Sequence, residues 1–377
     1  MGRGVWEGAS WLKIWIDILT PKQLLFLHPL ALLLEDRGHS LYLTTRDYRE
    51  VNELSRLKGV HLISYGRHGG GSLAHKLRQS ARRVTRLARE VDMRGIDLAV
   101  SFSSVEAARV AFGLSIPHIC ISDSPHAEAV SRLTVPLSSL LFTPWVVPRK
   151  AWTRYGIPVG SVIQYKALDP YVWTRNFNPD ASFAQKLGLS SGEPLVTVRP
   201  PEEQAAYLLN SENVSATVQI IDRLLKSDLS LQIAVLPRYG SQLRSLRRSF
   251  GKRVRVLAHS VDGANLLASS SFFIGCGGTM TAEAVLLGTP AVSCFPSRPT
   301  HVERFLIRQG LIRHTLDPAS VEKEVRRYLY DKGLVGKFKE RAARLRGMME
   351  DPLPVIADNV ENFSDATSVR RRAASEP

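Results

Sequence analysis

The chain has 377 residues, of which 44% are hydrophobic and 23% are charged, and both proportions are ordinary for a globular protein. The length predicts two domains, and no apolar run is long enough to cross a membrane. The formal net charge of +15 favours anionic partners, namely nucleotide phosphates, nucleic acid or an acidic membrane surface. The alternative is a basic, solvated surface that has no special partner.

The motifs of a nucleic-acid-binding protein are missing. There is no zinc-finger spacing, no aromatic RNA-binding signature and no basic helix-turn-helix pattern, so we expect no nucleic-acid partner. Cys120, Cys276 and Cys294 lie in apolar, strand-like runs without a CxxC pair, which is typical of buried thiols in a reduced compartment. Residues 1–11 are too short and too polar for a signal peptide. We therefore expect a cytoplasmic protein.

Strand-like and helix-like segments alternate in the first half of the chain, which predicts an α/β fold with a parallel sheet. Residues 12–18 form the first predicted strand, and a helix through Glu35 and a strand at residues 40–45 follow. Ligands of such sheets bind at the carboxyl ends of the strands, so Asp17 and Lys22 lie where chemistry can occur. Lys22 is a candidate ligand of a phosphate or carboxylate. A helix-capping aspartate and a surface lysine are the alternatives.

A glycine-rich loop and a basic helix follow the third predicted strand, at residues 59–65. His68 precedes three glycines and is able to approach a ligand closely, and a mobile loop is the alternative. Residues 73–93 form an amphipathic helix with one basic face. We expect its apolar stripe to pack on the sheet; contact with an anionic bilayer is the alternative.

The richest polar cluster of the first half follows the strand predicted at residues 116–121. Asp123, His126 and Glu128 stand at the exit of this strand. Asp123 or Glu128 is able to act as a base towards a hydroxyl group, with His126 as a donor or proton carrier. In the other interpretation Asp123 caps the helix that carries His126 and Glu128, and both interpretations can hold together.

The α/β pattern starts again after a turn-rich connector near residue 170, where we place the domain boundary. Strands are predicted at residues 194–199 and 231–236, and Arg199 and Arg238 stand at their exits. Either arginine could neutralise a phosphate in the cleft between the domains. A structural ion pair is the alternative for each arginine.

Residues 269–296 predict a strand, a glycine turn, a helix and a second strand. Gly277, Gly278 and Thr279 let the backbone turn sharply and bring its N–H groups close to a ligand. Glu283 lies one turn into the helix, and its carboxylate suits a ribose diol because it can accept two hydrogen bonds from hydroxyl groups. An ordinary turn between strand and helix is the alternative.

The segment beyond this unit contains two further candidates. His301 and Glu303 follow a strand exit and could touch a sugar or a pyrophosphate. Helices are predicted from there to residue 363, and the polar, basic residues after it are predicted to be disordered. The predicted organisation is an N-terminal tail (1–11), two α/β domains (12–170 and 171–350), a C-terminal helix (351–363) and a disordered tail (364–377).

Several segments together resemble the archaeal and bacterial family labelled domain of unknown function 354, over residues 12–363. The resemblance is carried by IWIDILTPKQLLFLHPL, LTTRDY, the RHGG loop, SDSPHAEAVSRL and IGCGGTMTAEAVLLGTPAV. That family is similar to the GT-B superfamily, which includes the N-acetylglucosaminyltransferase that completes lipid II and the non-hydrolysing UDP-N-acetylglucosamine 2-epimerases. The resemblance implies a GT-B fold, in which two Rossmann-like domains with parallel sheets face each other across a cleft.

The resemblance also implies that the C-terminal domain binds a nucleotide sugar and that the N-terminal domain binds the acceptor. Residues 277–279 and Glu283 match the glycine/alanine turn and the ribose-binding glutamate of the transferase. His301 and Glu303 lie where these relatives contact the donor sugar or phosphate. Asp123 falls near a polar residue of the transferase's acceptor domain.

The expected function is transfer of a sugar from a nucleotide diphosphate to an acceptor in cell-surface glycan or glycolipid synthesis. Asp17, Asp123 or His126 would deprotonate the acceptor hydroxyl, while the helix dipole and an arginine would stabilise the departing diphosphate. No metal or other cofactor is implied. Residues 19–23 lack the glycine-rich turn that the transferase has there, which leaves the acceptor and the base open.

Two alternatives remain beside the transferase. One is an epimerase or hydrolase of the same fold, which would form product from the nucleotide sugar without an acceptor. The other is a non-catalytic binding protein. For the transferase we expect a lipid-linked acceptor and peripheral contact with the inner face of the membrane. The sequence leaves open the nucleotide, the sugar and the oligomeric state.

Overall fold

The computed structural model describes residues 11–362, except for residue 191 and residues 203–212. The predicted disordered tail, and the predicted N-terminal tail up to residue 10, lie outside the described residues. Within them the chain forms two parallel sheets flanked by helices, as the sequence predicts. Cys120, Cys276 and Cys294 are buried free thiols, which confirms the prediction for these side chains.

The first sheet contains seven of the strands in the described part of the chain. They are β1 (Lys13–Asp17), β2 (Ser40–Asp47), β3 (Ile63–Arg67), β4 (Leu98–Ser101), β5 (His118–Ile121), β6 (Leu140–Pro144) and β7 (Val162–Tyr165). The helices between and after them are α1 (Pro21–Asp36), α2 (Arg49–Leu57), α3 (Leu73–Asp92), α4 (Val105–Gly113), α5 (Glu128–Thr134), α6 (Lys150–Thr153) and α7 (Tyr171–Thr174).

The second sheet contains six of the described strands. They are β8 (Leu195–Arg199), β9 (Gln232–Val235), β10 (Arg255–Val256), β11 (Phe272–Gly275), β12 (Ala291–Ser293) and β13 (Ile312–His314). The helices of this half are α8 (Phe183–Lys186), α9 (Asn213–Lys226), α10 (Gly240–Phe250), α11 (Gly263–Ala268), α12 (Met280–Leu286), α13 (His301–Arg308), α14 (Pro318–Tyr330) and α15 (Lys332–Gly347). A further helix, α16, covers residues 352–362.

Strand order gives each sheet a switch point, where the direction of the connections reverses. The first sheet has the order β3-β2-β1-β4-β5-β6-β7, and the second has the order β10-β9-β8-β11-β12-β13. Connections therefore run outwards in opposite directions from β1 and β4, and from β8 and β11. A crevice forms at the carboxyl ends of such strand pairs, and this is where parallel sheets bind ligands.

Both faces of the sheets are buried, as expected for parallel strands covered by helices. In β1, the side chains of Ile14 and Ile16 join the core under α1, while Trp15 packs on the opposite face with Leu87 and Val91 of α3. Helix α16 returns from the second half and buries its apolar side chains in the same core as α1. Arg37, just after α1, forms an ion pair of 2.7 Å with Asp358 of α16.

The third predicted strand, at residues 59–65, begins too early. β3 covers Ile63–Arg67, because the preceding residues end α2. Gly59 has a φ of +67°, and the Val60 N–H donates to the carbonyl of Ser55 over 2.8 Å. This positive-φ glycine ends the helix, so an extended strand can begin only after the turn.

Helix α3 confirms the predicted amphipathic helix, but the apolar side chains at its N-terminal end do not pack on the sheet as expected. Leu87 and Val91 are fully buried against the sheet, as expected. Leu73 and Leu77, in the first two turns, are 61% and 71% exposed. The apolar stripe therefore packs on the sheet only along the C-terminal part of the helix.

A buried ion pair joins α3 to the end of β1. The Arg83 guanidinium donates to both carboxylate oxygens of Asp17, over 3.0 and 2.6 Å, and the hydroxyls of Thr44 and Ser104 donate to the same carboxylate. Burial opposes the ionisation of Asp17, but Arg83 outweighs it and the pKa of Asp17 is lowered. Arg83 also donates to the Tyr65 carbonyl over 2.9 Å, so one side chain ties α3 to β1 and β3.

Helix α2 contacts the second half of the chain. Glu50 accepts a hydrogen bond of 2.7 Å from Arg199 at the end of β8, and both side chains are buried. Lys58, just after α2, forms an ion pair of 2.8 Å with Asp262, just before α11. These contacts close one side of the space between the two sheets.

Replacing Arg83 by methionine should lower the free energy of unfolding by about 3–5 kcal/mol, because Asp17 would remain as a buried carboxylate without its ion-pair partner. The neighbouring Arg82→Met is the matched control, since Arg82 is exposed and its loss should change the stability by no more than about 0.5 kcal/mol. Urea denaturation of both variants measures the difference. Equal unfolding free energies for R83M and R82M would show that the pair does not hold this half together.

Candidate functional site

A cleft with a volume of 1090 Å³ lies between the two halves of the chain. From the first half it is lined by the loop after β1, the ends of β2 and β4, and the segment after β5. From the second half it is lined by the ends of β8 and β9 and by the turn between β11 and α12. The switch points of both sheets therefore open onto one cavity, as the topology requires.

The turn after β11 has room for glycine only. Gly277 and Gly278 have φ angles of +99° and +91°, which other residues rarely adopt. A Cβ atom on Gly277 would lie 2.5 Å from the Phe295 ring, and one on Gly278 would lie 3.0 Å from the Arg238 guanidinium. Thr279 follows as the N-cap residue of α12, without a hydrogen bond from its side chain to the helix. The Phe295 ring and the Arg238 guanidinium therefore pack directly against the two glycines.

Glu283 is a buried carboxyl group in the cleft lining. Its side chain is 4% exposed, and its Oε1 atom has no hydrogen-bond partner among the described residues. Burial raises the pKa of Glu283 to about 7. A buried, unpaired acceptor is costly for a protein, so a ligand that donates hydrogen bonds would relieve the loss of hydration.

Arg238 lies beside the glycine turn. Its guanidinium donates to the carbonyls of Gly277 and Pro200, over 3.3 Å in each case, and lies 3.9 Å from the Glu202 carboxylate. All these contacts are long or shared, and the side chain lines the cleft. Arg238 is therefore placed to bind an anion above the turn.

Arg199 also lines the cleft, but both terminal nitrogens of its guanidinium already donate hydrogen bonds within the protein. Besides the 2.7 Å hydrogen bond to Glu50, its guanidinium donates to the Leu236 carbonyl over 3.0 Å. Burial lowers the pKa of Arg199, with the nearby Arg238 adding to the effect and Glu50 opposing it. The ion pair that the sequence left as the alternative for Arg199 is present, and it joins the two halves.

His301 and Glu303 occupy the start of α13. Glu303 accepts from the Thr300 N–H over 2.9 Å in the cap of α13 and from the Ser293 hydroxyl of β12 over 2.6 Å, so both of its carboxylate oxygens have partners. It lines the cleft with the rest of its surface, whereas His301 is not among the lining residues. Burial lowers the pKa of His301 to about 4, with Arg304 next in effect. Contact with a sugar remains a prediction for both.

The cluster predicted after β5 is larger than the sequence indicated. The Lys22 ammonium lies 2.6 Å from Asp123 and 2.7 Å from Asp169, and the Tyr165 hydroxyl donates to Asp169 over 2.6 Å. One cation is therefore shared by two carboxylates at the edge of the cleft. The phosphate contact predicted for Lys22 would have to replace one of these ion pairs.

The two carboxyl groups of this cluster titrate differently. Burial opposes the ionisation of Asp123, but Lys22 outweighs it and the pKa of Asp123 is lowered. Burial raises the pKa of Asp169 to about 6, against the opposing charge of Lys22. Deprotonating both side chains leaves one negative charge without a partner, which explains why their pKa values separate.

Asp123 does not cap the following helix, because α5 begins at Glu128 and has no hydrogen bond from an N-cap side chain. The capping alternative for Asp123 was therefore wrong. His126 lies in the cleft lining with Asp123, and burial lowers the pKa of His126 while Asp123 opposes this. Glu128 instead pairs with Arg132 one turn further along α5.

Asp17 lies beneath the cleft and is not among its lining residues. Its carboxylate is fully buried and accepts hydrogen bonds from three side chains, so the structure gives it a role in holding the sheet. This placement favours Asp123 and His126 over Asp17 as candidate bases.

Sequence reasoning did not identify Asp169, Tyr165 or Glu50 as site residues. Asp169 was assigned to a connector, although it lies four residues after the end of β7, an edge strand of the first sheet. The rule that polar groups collect at strand exits could have found it. Glu50 lies inside a helix, and its pairing with Arg199 had no local signal.

No group of three or more His, Cys, Asp and Glu side chains in the described ranges is arranged to hold a metal ion. Across those same ranges, every helix is too short or too polar to cross a bilayer.

The architecture defines the class of protein as GT-B, and solved structures of this class superpose on most of the chain. The S. aureus MnaA structure with UDP gives a TM-score of 0.75 at 13% identity and covers 94% of this chain and 97% of that chain. The Neisseria meningitidis UDP-GlcNAc 2-epimerase bound to UDP-GlcNAc gives 0.71 at 14% identity, covering 95% and 100%. The spinosyn rhamnosyltransferase SpnG with spinosyn aglycone gives 0.60 at 13% identity, covering 93% and 99%. The predicted fold is confirmed.

The chain belongs to the family described as protein of unknown function (DUF354), whose model matches residues 12–365. The protein named Uncharacterized protein MJ0665, from Methanocaldococcus jannaschii, is 29% identical over 357 residues, which are 93% of this chain and 98% of that protein. The family predicted from the sequence motifs is confirmed.

Replacing Glu283 by glutamine should change how stability depends on pH. Between about pH 4.5 and 7 the folded protein keeps the proton on Glu283 while the unfolded chain has released it, so the free energy of unfolding falls as pH rises through this window. The stability of wild type relative to E283Q should therefore fall by about 3 kcal/mol across it. Urea denaturation of the ligand-free proteins at both ends of the window measures this difference.

The exposed Glu340→Gln is the control for that experiment and should leave the pH dependence of the wild type in place. Parallel pH profiles for wild type and E283Q would mean that Glu283 is hydrated or paired in solution.

Proposed function

We propose that this protein binds a nucleotide-diphosphate sugar in the cleft and transfers the sugar to an acceptor, in cell-surface glycan or glycolipid synthesis. The observation that carries the proposal is Glu283, a buried carboxyl group without a hydrogen-bond partner for Oε1 among the described residues, next to a turn that only glycine can occupy. A ribose diol supplies a hydroxyl donor for this oxygen atom.

The donor's diphosphate fits beside the ribose. Gly277 and Gly278 have no side chains of their own, and Arg238 adds a positive charge 3.3 Å from the Gly277 carbonyl. A guanidinium with N–H groups from a turn is a suitable set of donors for a leaving diphosphate, and it needs no metal ion. Two of the similar structures hold UDP or UDP-GlcNAc, which supports this choice of ligand.

The acceptor enters from the side of the first sheet in this proposal. Asp123 and His126 line that wall, and either side chain can accept the proton of an acceptor hydroxyl as it attacks the anomeric carbon. Lys22 holds Asp123 in place by the 2.6 Å ion pair. Glu303 lines the cleft and His301 does not, which supports Glu303 as the contact to the donor sugar.

We assign a lipid-linked acceptor to the transferase, with peripheral contact at the inner face of the membrane. Leu77 of α3 and Leu133 of α5 line the cleft and are 71% and 52% exposed. Arg78 and Arg82 are exposed on α3 near Leu77. Apolar side chains at the mouth of the cleft with basic residues around them suit a hydrocarbon chain leaving an anionic bilayer.

An epimerase of the same fold is the second candidate, and one observation favours it. The Lys22 cluster contains two carboxyl groups whose pKa values are moved in opposite directions, which is how sites with separate acid and base are built. Such an enzyme would convert the nucleotide sugar without an acceptor, so the products distinguish it from the transferase.

Nucleotide binding is the first test. UDP-, GDP-, dTDP- and CMP-linked sugars are screened by thermal shift, because a ligand that binds only the folded protein raises its melting temperature. One nucleotide series should raise the Tm of wild type and of R247Q, an exposed control, and the shift should be largely lost in E283Q and R238Q. If no nucleotide sugar shifts the Tm, the proposed donor site does not exist.

Replacing Asp123 by asparagine should lower turnover about 10²–10⁴-fold while the Tm shift caused by the nucleotide stays intact. Release of nucleotide from the donor identified by the screen is followed with and without a lipid extract, and the sugar products are identified by NMR. Transfer requires the extract, and epimerisation does not. Turnover of D123N at the wild-type rate would remove Asp123 from the mechanism and leave His126 as the candidate.

A further inference from the structure

The wall of the cleft formed by the first half contains basic groups that the donor does not use. Arg46, at the end of β2, lines the cleft, and its Nε atom is buried without a hydrogen-bond partner among the described residues. No carboxylate in the described part of the chain lies within ion-pair distance of Arg46. Arg83, close by, is different, because both of its terminal nitrogens donate to Asp17.

His68 supplies a neutral donor next to Arg46. Burial lowers the pKa of His68 to about 4, and the charges of Arg46 and Lys76 add to this, so the ring is neutral at physiological pH. Its Nδ1 atom accepts the Gly70 N–H over 3.1 Å, which places the ring proton on Nε2. The ring is held against Tyr48, with 4.9 Å between the ring centroids. His68 is thus a fixed N–H donor.

The glycine loop brings Lys76 to the same wall. A Cβ atom on Gly69 would lie 2.6 Å from the Cα atom of Lys76, so the loop packs directly on the first turn of α3. Lys76 lines the cleft. Burial lowers the pKa of Lys76, with Glu202 opposing and Arg46 adding to the effect. Lys76 and Arg46 thus add two cationic side chains to the lining of one cleft, which favours an anionic ligand there.

We propose that Arg46, His68 and Lys76 form a second anion site, which binds a phosphate group on the acceptor. A guanidinium, an ammonium and an imidazole N–H are matched donors for a phosphate ester. The inference rests on the proposed transferase, because it names the chemistry of the acceptor. Arg46, His68 and Lys76 belong to the first half of the chain and Arg238 and Glu283 to the second, so the proposal gives the donor and acceptor phosphates different ligands. The source of the phosphate is a lipid or a soluble sugar phosphate.

Calorimetric titration of the UDP-saturated protein tests this site, since UDP fills the donor position. The probes are farnesyl phosphate and N-acetylglucosamine 1-phosphate. We expect one of them to bind wild type and the exposed control R247Q equally, and to bind R46Q about tenfold more weakly or worse. R46K keeps the charge and should keep most of the affinity. Preference for farnesyl phosphate assigns a lipid acceptor, and preference for the sugar phosphate assigns a soluble one.

Several outcomes would overturn the site. They are binding of neither probe to wild type, equal affinity of wild type and R46Q, and displacement of UDP by the probe. UDP affinity of R46Q should match that of wild type, which also shows that the variant is folded. H68A provides a second test, because removal of the Nε2 donor should weaken binding of the probe and leave UDP binding unchanged.

The same titrations test the second anion site and the proposed donor site independently. Failure of UDP to bind, together with phosphate binding that depends on Arg46, would reject the donor site and keep the anion site. UDP binding without phosphate binding would do the reverse.

Discussion

The Arg83–Asp17 ion pair is the constraint on which the first half of the cleft depends. Arg83 contacts β1 through the Asp17 carboxylate, and β2 and β3 through the carbonyls of Thr45 and Tyr65. Leaving either charge alone in the core would be strongly unfavourable, so the helix and the three strand ends must stay together. The loops that follow these strands form the cleft wall, and their positions are therefore set from below by this pair.

The second half of the cleft contains a buried carboxyl group that, unlike Asp17, has an oxygen atom without a hydrogen-bond partner among the described residues. Glu283 is buried as deeply as Asp17 is, yet its Oε1 atom has no hydrogen-bond partner in the part of the chain that the structure describes, and its pKa is raised to about 7. A satisfied carboxylate stabilises a fold, whereas an unsatisfied one is tolerated where a ligand completes it. Asp17 is thus a structural charge, whereas the unpaired oxygen of Glu283 is the observation that supports the proposed ligand contact.

A site residue could be predicted from the sequence when the feature that places it lies within a few residues of it in the chain. Gly277 could be predicted, because a sharp turn between a strand and a helix requires a positive φ at that position. Glu283 could be predicted because its place one turn into α12 follows from helix geometry. Asp169 belongs to the site only through an ion pair with Lys22, far away in the chain. Likewise, 149 positions separate Arg199 from Glu50, so neither residue's own segment indicates the pair.

The Lys22 cluster limits what a single base can do in this cleft. A lowered pKa makes Asp123 a weak base while Lys22 holds it. When Asp123 takes a proton, the ammonium no longer has two anions to neutralise, and its attraction for Asp169 is then undivided. Asp169, whose pKa burial raises to about 6, is then the carboxylate that pairs with Lys22. In the proposed transferase, the basicity of Asp123 therefore depends on Lys22 and Asp169 as well as on Asp123 itself.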